Sequence, residues 1–323
     1  MHAIVAHKGR LSWQTVPDVS PGTGEVLIKV EAAGVNRADL LQAAGKYPPP
    51  PGASEIIGLE VSGTIAAVGD SVTDWTPGQQ VCALLAGGGY AEYVCVPTGQ
   101  VLDVPYGVAP AHAAALPEVA CTVWSNLVMT AGLRAPHLVL LHGGASGIGT
   151  HAIQVARALG CRVAVTAGSR NKLDLCAELG AEITIDYQNE DFVEVIRNAG
   201  GADVILDIIG AAYLDRNVDA LADDGRLVII GMQGGAKADL NIAKLLAKRG
   251  GVFATALRAR PVGGASGKSA IVTQVSEQVW PLIADGQVRP VIGAEFPITE
   301  AQAAHELLGS GDVSGKILLR VSD

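Results

Sequence analysis

The sequence has few cationic residues and no long basic run. Lysine and arginine total 23 against 32 acidic residues, which gives a formal net charge of −9. The densest basic stretches are Lys248-Arg249 and Arg258-Ala259-Arg260. Because a nucleic-acid-binding surface needs a basic patch to neutralise phosphates, this charge balance argues against a nucleic-acid partner.

Long apolar runs and paired cysteines are also lacking. No stretch of about 18 uncharged apolar residues occurs, as a membrane-spanning helix requires. The N-terminal MHAIVAHKGRLSW lacks the apolar segment and cleavage pattern of a secretory signal. The five cysteines are odd in number and widely spaced, and none forms a Cys-x-x-Cys pair. We therefore predict free thiols and a cytoplasmic protein without a membrane partner.

Aromatic residues make up only 4% of the chain, whereas small and aliphatic residues are abundant, as is common in α/β proteins. The N-terminal third has the period-two pattern of half-buried strands, seen in Glu25–Glu31 (EVLIKVE). Its other predicted strands are Val61–Val68, Gln80–Leu84 and Ala91–Val96. A short helix is predicted over Ala38–Ala43, and a four-proline run begins at Pro48.

From residue 138 the pattern changes to short apolar runs that alternate with helical segments. The predicted strands are Leu138–Leu141, Arg162–Thr166, Glu182–Ile185, Val204–Ile209, Arg226–Gly231 and Gly251–Ala256. Six such strands with intervening helices predict a doubly wound parallel sheet, so the fold class is α/β. The tail ends in a last strand, Lys316–Val321, and is predicted to fold back onto the β-rich head. The predicted domains are 1–119 with 258–323, and 120–257.

A glycine-rich loop follows the first strand of the predicted parallel sheet. It reads Gly144-Ala-Ser-Gly-Ile-Gly149, with Ser146 where the second glycine of a G-x-G-x-x-G loop stands. Such a loop binds the pyrophosphate of a dinucleotide, because glycines let the backbone approach and the next helix presents free N–H groups. The candidate cofactor residues here are Gly144, Ser146, Gly147, Ile148 and Gly149.

The same letters resemble the loop of short-chain dehydrogenases, which provides a competing interpretation. That family has the loop near the N-terminus and a Tyr-x-x-x-Lys pair as its acid. Here the loop lies 140 residues into the chain, and Tyr187 and Tyr213 are followed four residues later by Asp191 and Asn217. The loop therefore belongs to a second domain, and the catalytic groups are expected upstream.

This arrangement resembles the medium-chain dehydrogenase/reductase superfamily over the whole chain. GLEVSGTIAAVGDSV, from Gly58, is similar to the superfamily signature G-H-E-x-x-G, and AAGVNRADL is similar to the segment that carries a zinc-binding cysteine in alcohol dehydrogenases. The signature histidine is replaced by Leu59 and the cysteine by Asn36. Leucine cannot coordinate zinc and asparagine is a poor substitute for thiolate, so no metal is expected.

Further segments resemble the zinc-independent quinone oxidoreductases, and within them the p53-inducible type. They include NRADLLQAAGKYPPPPGAS, GGGYAEYV, TAGSRNKLDL, NVDALADDGRLVIIG and LAKRG. The resemblance implies a GroES-like catalytic domain joined to a Rossmann domain, NADPH as cofactor and a quinone as substrate. It also implies a homodimer formed through the apolar edge strand Gly251–Ala256.

Residues after the second strand of the parallel sheet predict which dinucleotide is used. NAD enzymes place a carboxylate there to bind the ribose hydroxyls. Here Ser169, Arg170 and Lys172 follow, and the first carboxylate is Asp174. A hydroxyl and two cations suit the 2′-phosphate of NADPH, although Ser169 as a helix cap with solvated cations is the alternative. The resemblance adds Tyr187 on the adenosine side.

Hydride transfer to a quinone needs little acid catalysis, which is consistent with the missing zinc. The resemblance places Asn36 and Tyr47 in the substrate pocket, Thr122 near the nicotinamide and Lys316 within reach of the cofactor. Each has a plainer interpretation: Asn36 as a helix cap, Tyr47 packed on the prolines, Thr122 as a helix residue and Lys316 as a solvated lysine.

Four further polar residues lie near the predicted strands of the parallel sheet. His142, His151, Asp203 and Asp207 are interpreted as structural. Reduction of activated carbon–carbon double bonds, as in related enoyl reductases, is the alternative enzyme function. A non-catalytic NADPH-binding sensor or scaffold is the alternative from a different class.

Overall fold

The computed structural model describes residues 1–321, which form two compact units. The first unit consists of Met1–Cys121 and the segment that starts at Leu257, and the second unit is Thr122–Ala256. Within residues 1–321, no helix combines the length and apolar character needed to cross a bilayer.

Strands and helices both contribute to the two units. The strands are β1 (His2–His7), β2 (Arg10–Thr15), β3 (Glu25–Val35), β4 (Glu60–Val68), β5 (Gln80–Leu84), β6 (Tyr93–Pro97), β7 (Val101–Asp103), β8 (Leu138–His142), β9 (Arg162–Ala167), β10 (Ile183–Asp186), β11 (Ala202–Asp207), β12 (Leu221–Ile229), β13 (Gly251–Ala254), β14 (Ile292–Pro297) and β15 (Lys316–Arg320). The helices are α1 (Arg37–Ala43), α2 (Pro117–Val123), α3 (Gly147–Ala158), α4 (Arg170–Leu179), α5 (Phe192–Asn198), α6 (Leu214–Ala220), α7 (Ile242–Lys248), α8 (Lys268–Gln278), α9 (Trp280–Ala284) and α10 (Ala301–Ser310).

The first unit is built on a seven-stranded sheet. Its order is β14-β15-β3-β4-β5-β7, with β6 also paired to β3. Val26, Ile28 and Val30 of β3 are all buried, as the period-two pattern predicts. Strand β15 pairs antiparallel with β3, with Ile317 opposite Val35. This pairing confirms that the C-terminal tail returns to the N-terminal segment.

The second unit contains the predicted doubly wound sheet. Its six strands are all parallel, in the order β10-β9-β8-β11-β12-β13. The chain reverses direction across the sheet between β8 and β11, and in this fold ligands bind at the carboxyl ends of the strands near that point. Because β8 and β9 are neighbours, the segments that follow His142 and Ala167 leave the same edge of the sheet side by side.

The tail and the strand β12 differ from the sequence predictions. The tail contains α8, α9, β14 and α10, which were not predicted, and the β1–β2 hairpin was likewise not predicted. Strand β12 begins at Leu221 rather than Arg226. It continues through Asp223-Asp224-Gly225, where Asp224 adopts a positive φ of 62° and the register with β11 shifts.

Candidate functional site

The glycine-rich loop joins β8 to the N-terminus of α3. Ser146 precedes the helix, and its Oγ accepts the N–H of Gly149 at 3.1 Å. The N–H groups of Gly147 and Ile148 cannot be satisfied inside the helix because they belong to its first turn, and both residues are partly exposed. The loop therefore presents backbone donors to an anion at the positive end of a twelve-residue helix.

Two glycines of this loop are required by close packing. A Cβ atom added at Gly144 would lie 2.7 Å from the Cβ of Val165 on β9. A Cβ at Gly149 would overlap the carbonyl oxygens of Gly143 and Gly144. Larger residues would push the loop away from the sheet, so these glycines fit the backbone approach that a pyrophosphate needs.

A chain of largely buried hydrogen bonds connects the glycine-rich loop to residues of the neighbouring strand and helix. The N–H of Gly143 donates to Thr166 Oγ1 at 3.4 Å, and Thr166 Oγ1 lies 3.0 Å from His142 Nδ1. His142 Nε2 donates to Asn217 Oδ1 at 2.7 Å. A neutral imidazole that donates at Nε2 must accept at Nδ1, so the Thr166 hydroxyl proton points to His142. Burial lowers the pKa of His142 to about 4, so the ring is neutral at neutral pH, and its two hydrogen bonds select this tautomer.

The segment after β9 contains the residues predicted to read the 2′-phosphate. Ser169 immediately precedes α4, is exposed, and makes no capping bond with its hydroxyl. Arg170 is 86% exposed and pairs with Asp174 Oδ1 at 2.8 Å, whereas Lys172 is partly buried. Exposed ion pairs contribute little, so the Asp174 pair does not hold Arg170 in one position. The Ser169 hydroxyl is thus available to a ligand.

Tyr187 lies over the same segment. It follows β10, is 49% exposed, and donates its N–H to Ala167 O at 3.3 Å. Its phenol oxygen is 2.5 Å from the position that a Cβ of Gly168 would take. An aromatic face and a hydroxyl therefore stand next to Ser169, as the predicted adenosine position requires, and the assignment stays a prediction.

Thr122, predicted to lie near the nicotinamide, is buried in α2. Its carbonyl accepts Asn126 Nδ2 at 2.7 Å, and Asn126 Oδ1 accepts the Thr255 hydroxyl at 2.5 Å. These bonds join α2 to the segment that follows β13. They give Thr122 a well-defined backbone position, and its contact with a nicotinamide stays a prediction.

Asn36 and Lys316 meet in the first unit around a buried carboxylate, Glu60. Lys316 Nζ donates to Asn36 Oδ1 at 2.6 Å, to Val35 O at 3.0 Å and to Glu60 Oε1 at 2.6 Å. Asn36 Nδ2 donates to the same Glu60 oxygen at 2.9 Å, and the N–H of Glu118 donates to Glu60 Oε2 at 2.9 Å. Glu60 and Lys316 are 0% and 5% exposed.

All three ammonium hydrogens of Lys316 are used within this cluster, so contact with a cofactor would have to replace one of these bonds. The Asn36 side-chain amide is also used within the cluster, because its Nδ2 donates to Glu60 and its Oδ1 accepts from Lys316. Sequence reasoning did not single out Glu60. The available signal was a carboxylate at the start of an otherwise apolar strand, directly after Leu59 in GLEVSG.

The residues at the zinc-ligand positions do not fit a zinc ion. Leu59 is buried and has no donor atom, and the Asn36 carbonyl oxygen is bonded to an ammonium group. Zinc in proteins is held by thiolate, imidazole or carboxylate. In the described part of the chain, no group of three His, Cys, Asp or Glu side chains is placed to hold a metal ion.

A second buried polar chain reaches Asn36 from the other side of α1. The N–H of Asn36 donates to Asp39 Oδ2 at 2.7 Å, and Tyr90 donates its phenol proton to the same oxygen at 3.1 Å. His305 Nε2 lies 3.2 Å from the Tyr90 oxygen. Asp39 Oδ1 has no partner within residues 1–321, and burial raises the pKa of Asp39 to about 7. Burial lowers the pKa of His305 to about 4.

Tyr47 is partly buried beside Arg258. The guanidinium carbon of Arg258 lies 5.3 Å from the centre of the Tyr47 ring, within the range of a cation–π contact. Arg258 also donates to Ala86 O at 2.7 Å, to Gln42 Oε1 at 2.8 Å and to Tyr47 O at 3.4 Å. Sequence reasoning assigned Arg258 no role, because a basic residue between apolar runs usually lies on the surface.

Comparison with known proteins is consistent with this architecture. Residues 22–106 match the alcohol dehydrogenase GroES-like domain, and residues 147–264 match the zinc-binding dehydrogenase family. The chain is 31% identical to 2-haloacrylate reductase of Burkholderia sp., covering 99% of this chain and 98% of that protein. It is 31% identical to mouse quinone oxidoreductase, covering 93% and 90%.

The chain is also similar to part of a longer protein and to solved structures. The chain is 31% identical to the phthioceranic/hydroxyphthioceranic acid synthase of Mycobacterium tuberculosis, and it spans 14% of that protein's length. The crystal structure of Escherichia coli quinone oxidoreductase complexed with NADPH superposes with a TM-score of 0.88 at 27% identity, covering 99% of this chain and 100% of that one. The chain therefore belongs to the medium-chain dehydrogenase/reductase superfamily, within the quinone oxidoreductase type that does not use zinc.

Proposed function

We propose that this oxidoreductase reduces quinones by transfer of a hydride from NADPH, without a metal ion. NADPH is the cofactor, in agreement with the complex of the E. coli quinone oxidoreductase. We further propose that residues 120–257 bind the cofactor, and that residues 1–119 with 258–323 bind the acceptor.

The observation that carries the proposal is the ion pair between Lys316 and Glu60, with Asn36 bonded to both. Asn36 stands at a position from which zinc-dependent relatives draw a metal ligand, and here its side-chain amide is bonded to Lys316 and Glu60 and not to a metal ion. A quinone is a strong enough acceptor to take a hydride without a metal ion, and its product takes protons from solvent. The protein then has to orient the two reactants and exclude side reactions.

The residues of the second unit supply binding and orientation of the cofactor. The free N–H groups of Gly147 and Ile148 would hold the pyrophosphate, and the Ser169 hydroxyl with the Arg170 and Lys172 cations would hold the 2′-phosphate. The Tyr187 ring would cover the adenosine. NADPH bound there supplies the hydride.

The experiment is steady-state oxidation of NADPH with 1,2- and 1,4-naphthoquinone, in the presence and absence of EDTA. We expect turnover with at least one quinone, equal rates with and without chelator, and no stoichiometric zinc by elemental analysis. One zinc per chain with activity lost on its removal would contradict the metal-free assignment, and no oxidation of NADPH with any quinone would contradict quinone reduction.

Reduction of an activated carbon–carbon double bond is the second candidate. It is supported by the 31% identity to 2-haloacrylate reductase over nearly the full length of both chains. The two reactions differ in the atom that accepts the hydride. A panel with 2-chloroacrylate and an α,β-unsaturated ketone at the same concentration as the quinones separates them, because kcat/KM ranks the classes directly.

A further inference from the structure

Arg258 is a buried cation that has no carboxylate partner among residues 1–321. It is 5% exposed, and its described hydrogen bonds go to the carbonyls of Ala86 and Tyr47 and to the side-chain amide of Gln42. None of these acceptors carries a charge. Burying an ion without a counter-charge is costly, and burial accordingly lowers the pKa of Arg258 against the opposing charges of Tyr47, Asp39 and Glu55.

The guanidinium also has unused donors. It carries five N–H groups, and three are accounted for within the described residues. One N–H on each terminal nitrogen remains. The guanidinium is planar and its N–H groups form a rigid fork, so the remaining donors suit a carboxylate or an oxygen that bears negative charge.

Arg258 is placed beside a residue predicted to contact the substrate. The Tyr47 ring lies 5.3 Å from the guanidinium carbon. Tyr47 is only partly buried, so its ring forms part of the boundary between the guanidinium and solvent. The bonds to Ala86 O and Gln42 Oε1 fix the guanidinium, so the cation is already oriented before a ligand arrives.

We propose that Arg258 binds the carbonyl oxygen of the acceptor and stabilises the negative charge that forms on it during reduction. This inference rests on the proposed function and adds the electrophile for which sequence reasoning found no candidate. The acceptor takes up the hydride, the electron pair of its broken double bond moves to the oxygen, NADP⁺ is left, and solvent supplies the proton. Oriented donors aimed at such an oxygen are among the largest contributions to catalysis.

The first test is a binding measurement that does not depend on turnover. 2-Naphthoate, a flat carboxylate that cannot be reduced, is titrated by calorimetry into the protein saturated with NADPH, and neutral 2-naphthamide serves as the matched ligand. Arg258→Gln is expected to raise the Kd of 2-naphthoate by about 10-fold or more and to leave 2-naphthamide nearly unchanged. Arg260→Gln, which removes a charge two residues away, is the control and should change neither Kd.

The second test compares 1,4-naphthoquinone with 2,3-dimethyl-1,4-naphthoquinone, a weaker acceptor of similar shape. Removing an oxyanion donor costs about 100-fold in kcat, and a weaker acceptor depends more on that donor. We therefore expect the larger loss of kcat with the dimethyl compound in Arg258→Gln. Added guanidinium ion should restore part of the rate of Arg258→Gly, beyond sodium chloride at equal ionic strength. Arg258→Lys keeps the charge and should lose less.

Three outcomes would overturn the proposal. A rise in the Kd of NADPH in Arg258→Gln would assign the cation to a cofactor phosphate. Equal losses of kcat with both quinones in Arg258→Gln, together with no rescue of Arg258→Gly by guanidinium ion, would show that the residue has only a structural role. An unchanged Kd of 2-naphthoate in Arg258→Gln would show the same. Failure of the proposed function gives a different result. The unaltered protein would then bind 2-naphthoate through Arg258 but would not oxidise NADPH with any quinone.

Discussion

The ammonium group of Lys316 lies 2.6 Å from both Asn36 Oδ1 and Glu60 Oε1, with the three side chains largely removed from solvent. Strand β15 brings Lys316 next to the end of β3, because Ile317 pairs with Val35. The last strand of the chain thus supplies the cation that neutralises a carboxylate at the start of β4.

The first prediction concerns this ion pair. Lys316→Met leaves the Glu60 charge buried without its cation, so the free energy of unfolding should fall by about 3–5 kcal/mol, measured by urea denaturation at pH 7. Adding Glu60→Gln removes that charge and should recover part of the loss. A double variant no more stable than Lys316→Met would contradict the role of the charge.

The second prediction concerns cofactor choice. Ser169, Arg170 and Lys172 follow the second strand of the parallel sheet, and each charge-assisted hydrogen bond contributes roughly 1.5–3 kcal/mol. The unaltered protein should therefore prefer NADPH over NADH by about 10- to 100-fold in kcat/KM. Arg170→Ala with Lys172→Ala should weaken NADPH strongly and leave NADH nearly unchanged.

The control for that prediction is Asp174→Asn, which frees Arg170 from its ion pair. NADPH binding should become equal or tighter in this variant, and its dependence on salt should increase, because an unpaired cation is then available to the phosphate. Equal use of NADH and NADPH by the unaltered protein would show that this segment does not read the 2′-phosphate.

The third prediction concerns Tyr47. If its ring stacks on a flat acceptor, Tyr47→Ala should raise KM for tricyclic quinones more than for benzoquinone, with the Kd of NADPH unchanged. Tyr47→Phe keeps the ring and its contact with Arg258, so it serves as the matched variant and should behave nearly as the unaltered protein does. A KM that changes equally for every ring size would contradict stacking on the acceptor and would favour the alternative, in which Tyr47 packs against the prolines.

The fourth prediction concerns the pH dependence of stability. Burial raises the pKa of Asp39 to about 7 from an ordinary 3.8, so between these pH values the folded chain holds a proton that the unfolded chain has lost. Through this group the free energy of unfolding decreases as the pH rises from about 4 to about 7 and is then constant. In Asp39→Asn this contribution is removed.

The measurement is the difference in unfolding free energy between the unaltered protein and Asp39→Asn at pH 5, 6, 7 and 8 (nominal values, chosen about the expected midpoint). Three buried histidines act in the opposite direction, because burial lowers their pKa values to about 4: His142, His151 and His305. Their contribution to the free energy of unfolding decreases as the pH falls below the usual histidine pKa of 6.5. The same histidines are present in the unaltered protein and in Asp39→Asn, so the difference between the two proteins reports on Asp39. A difference that does not vary with pH would contradict the raised pKa.

The fifth prediction concerns assembly. Strand β13 is the end of the parallel sheet and pairs with β12, and Phe253 on it is 38% exposed. The neighbouring segment also exposes Ile242 and Leu246, at 65% and 72%. Apolar edge strands invite pairing, so we predict a homodimer joined through β13. Sedimentation at micromolar concentration should give a dimer for the unaltered protein and a monomer for Phe253→Lys, and a monomeric unaltered protein would contradict the prediction.

The parallel sheet was predictable because its pattern is local. Leu138–Leu141 is a continuous apolar run, as expected for a strand with both faces covered, and Gly144 to Gly149 marks the loop that follows it. The tail was harder to predict. The buried face of α8 includes a charged residue, Lys268, beside Ile271, Val272 and Val275, and its position depends on contacts that are distant in the sequence, such as those with Thr98–Gln100.

The site shows the same division. The loop residues could be proposed from the sequence because the proposed role depends on backbone geometry and neighbouring positions. Glu60, Asp39 and Arg258 could not, because their importance comes from burial among partners far away in the chain: Lys316, Tyr90 and Gln42. A charged residue is recognised as buried only when the fold is known, and only then does the presence or absence of a counter-charge become informative.

The chain of hydrogen bonds from Gly143 through Thr166 and His142 to Asn217 has one direction, because each donor has a single acceptor. A proton on His142 Nδ1 would make that nitrogen a donor, so the Thr166 hydroxyl proton would have to turn away from it. Since the pKa of His142 is about 4, this reversal lies far below neutrality. The bonds that hold the glycine-rich loop therefore stay unchanged near neutral pH, whereas Asp39 in the first unit, with a pKa raised by burial to about 7, changes its protonation there.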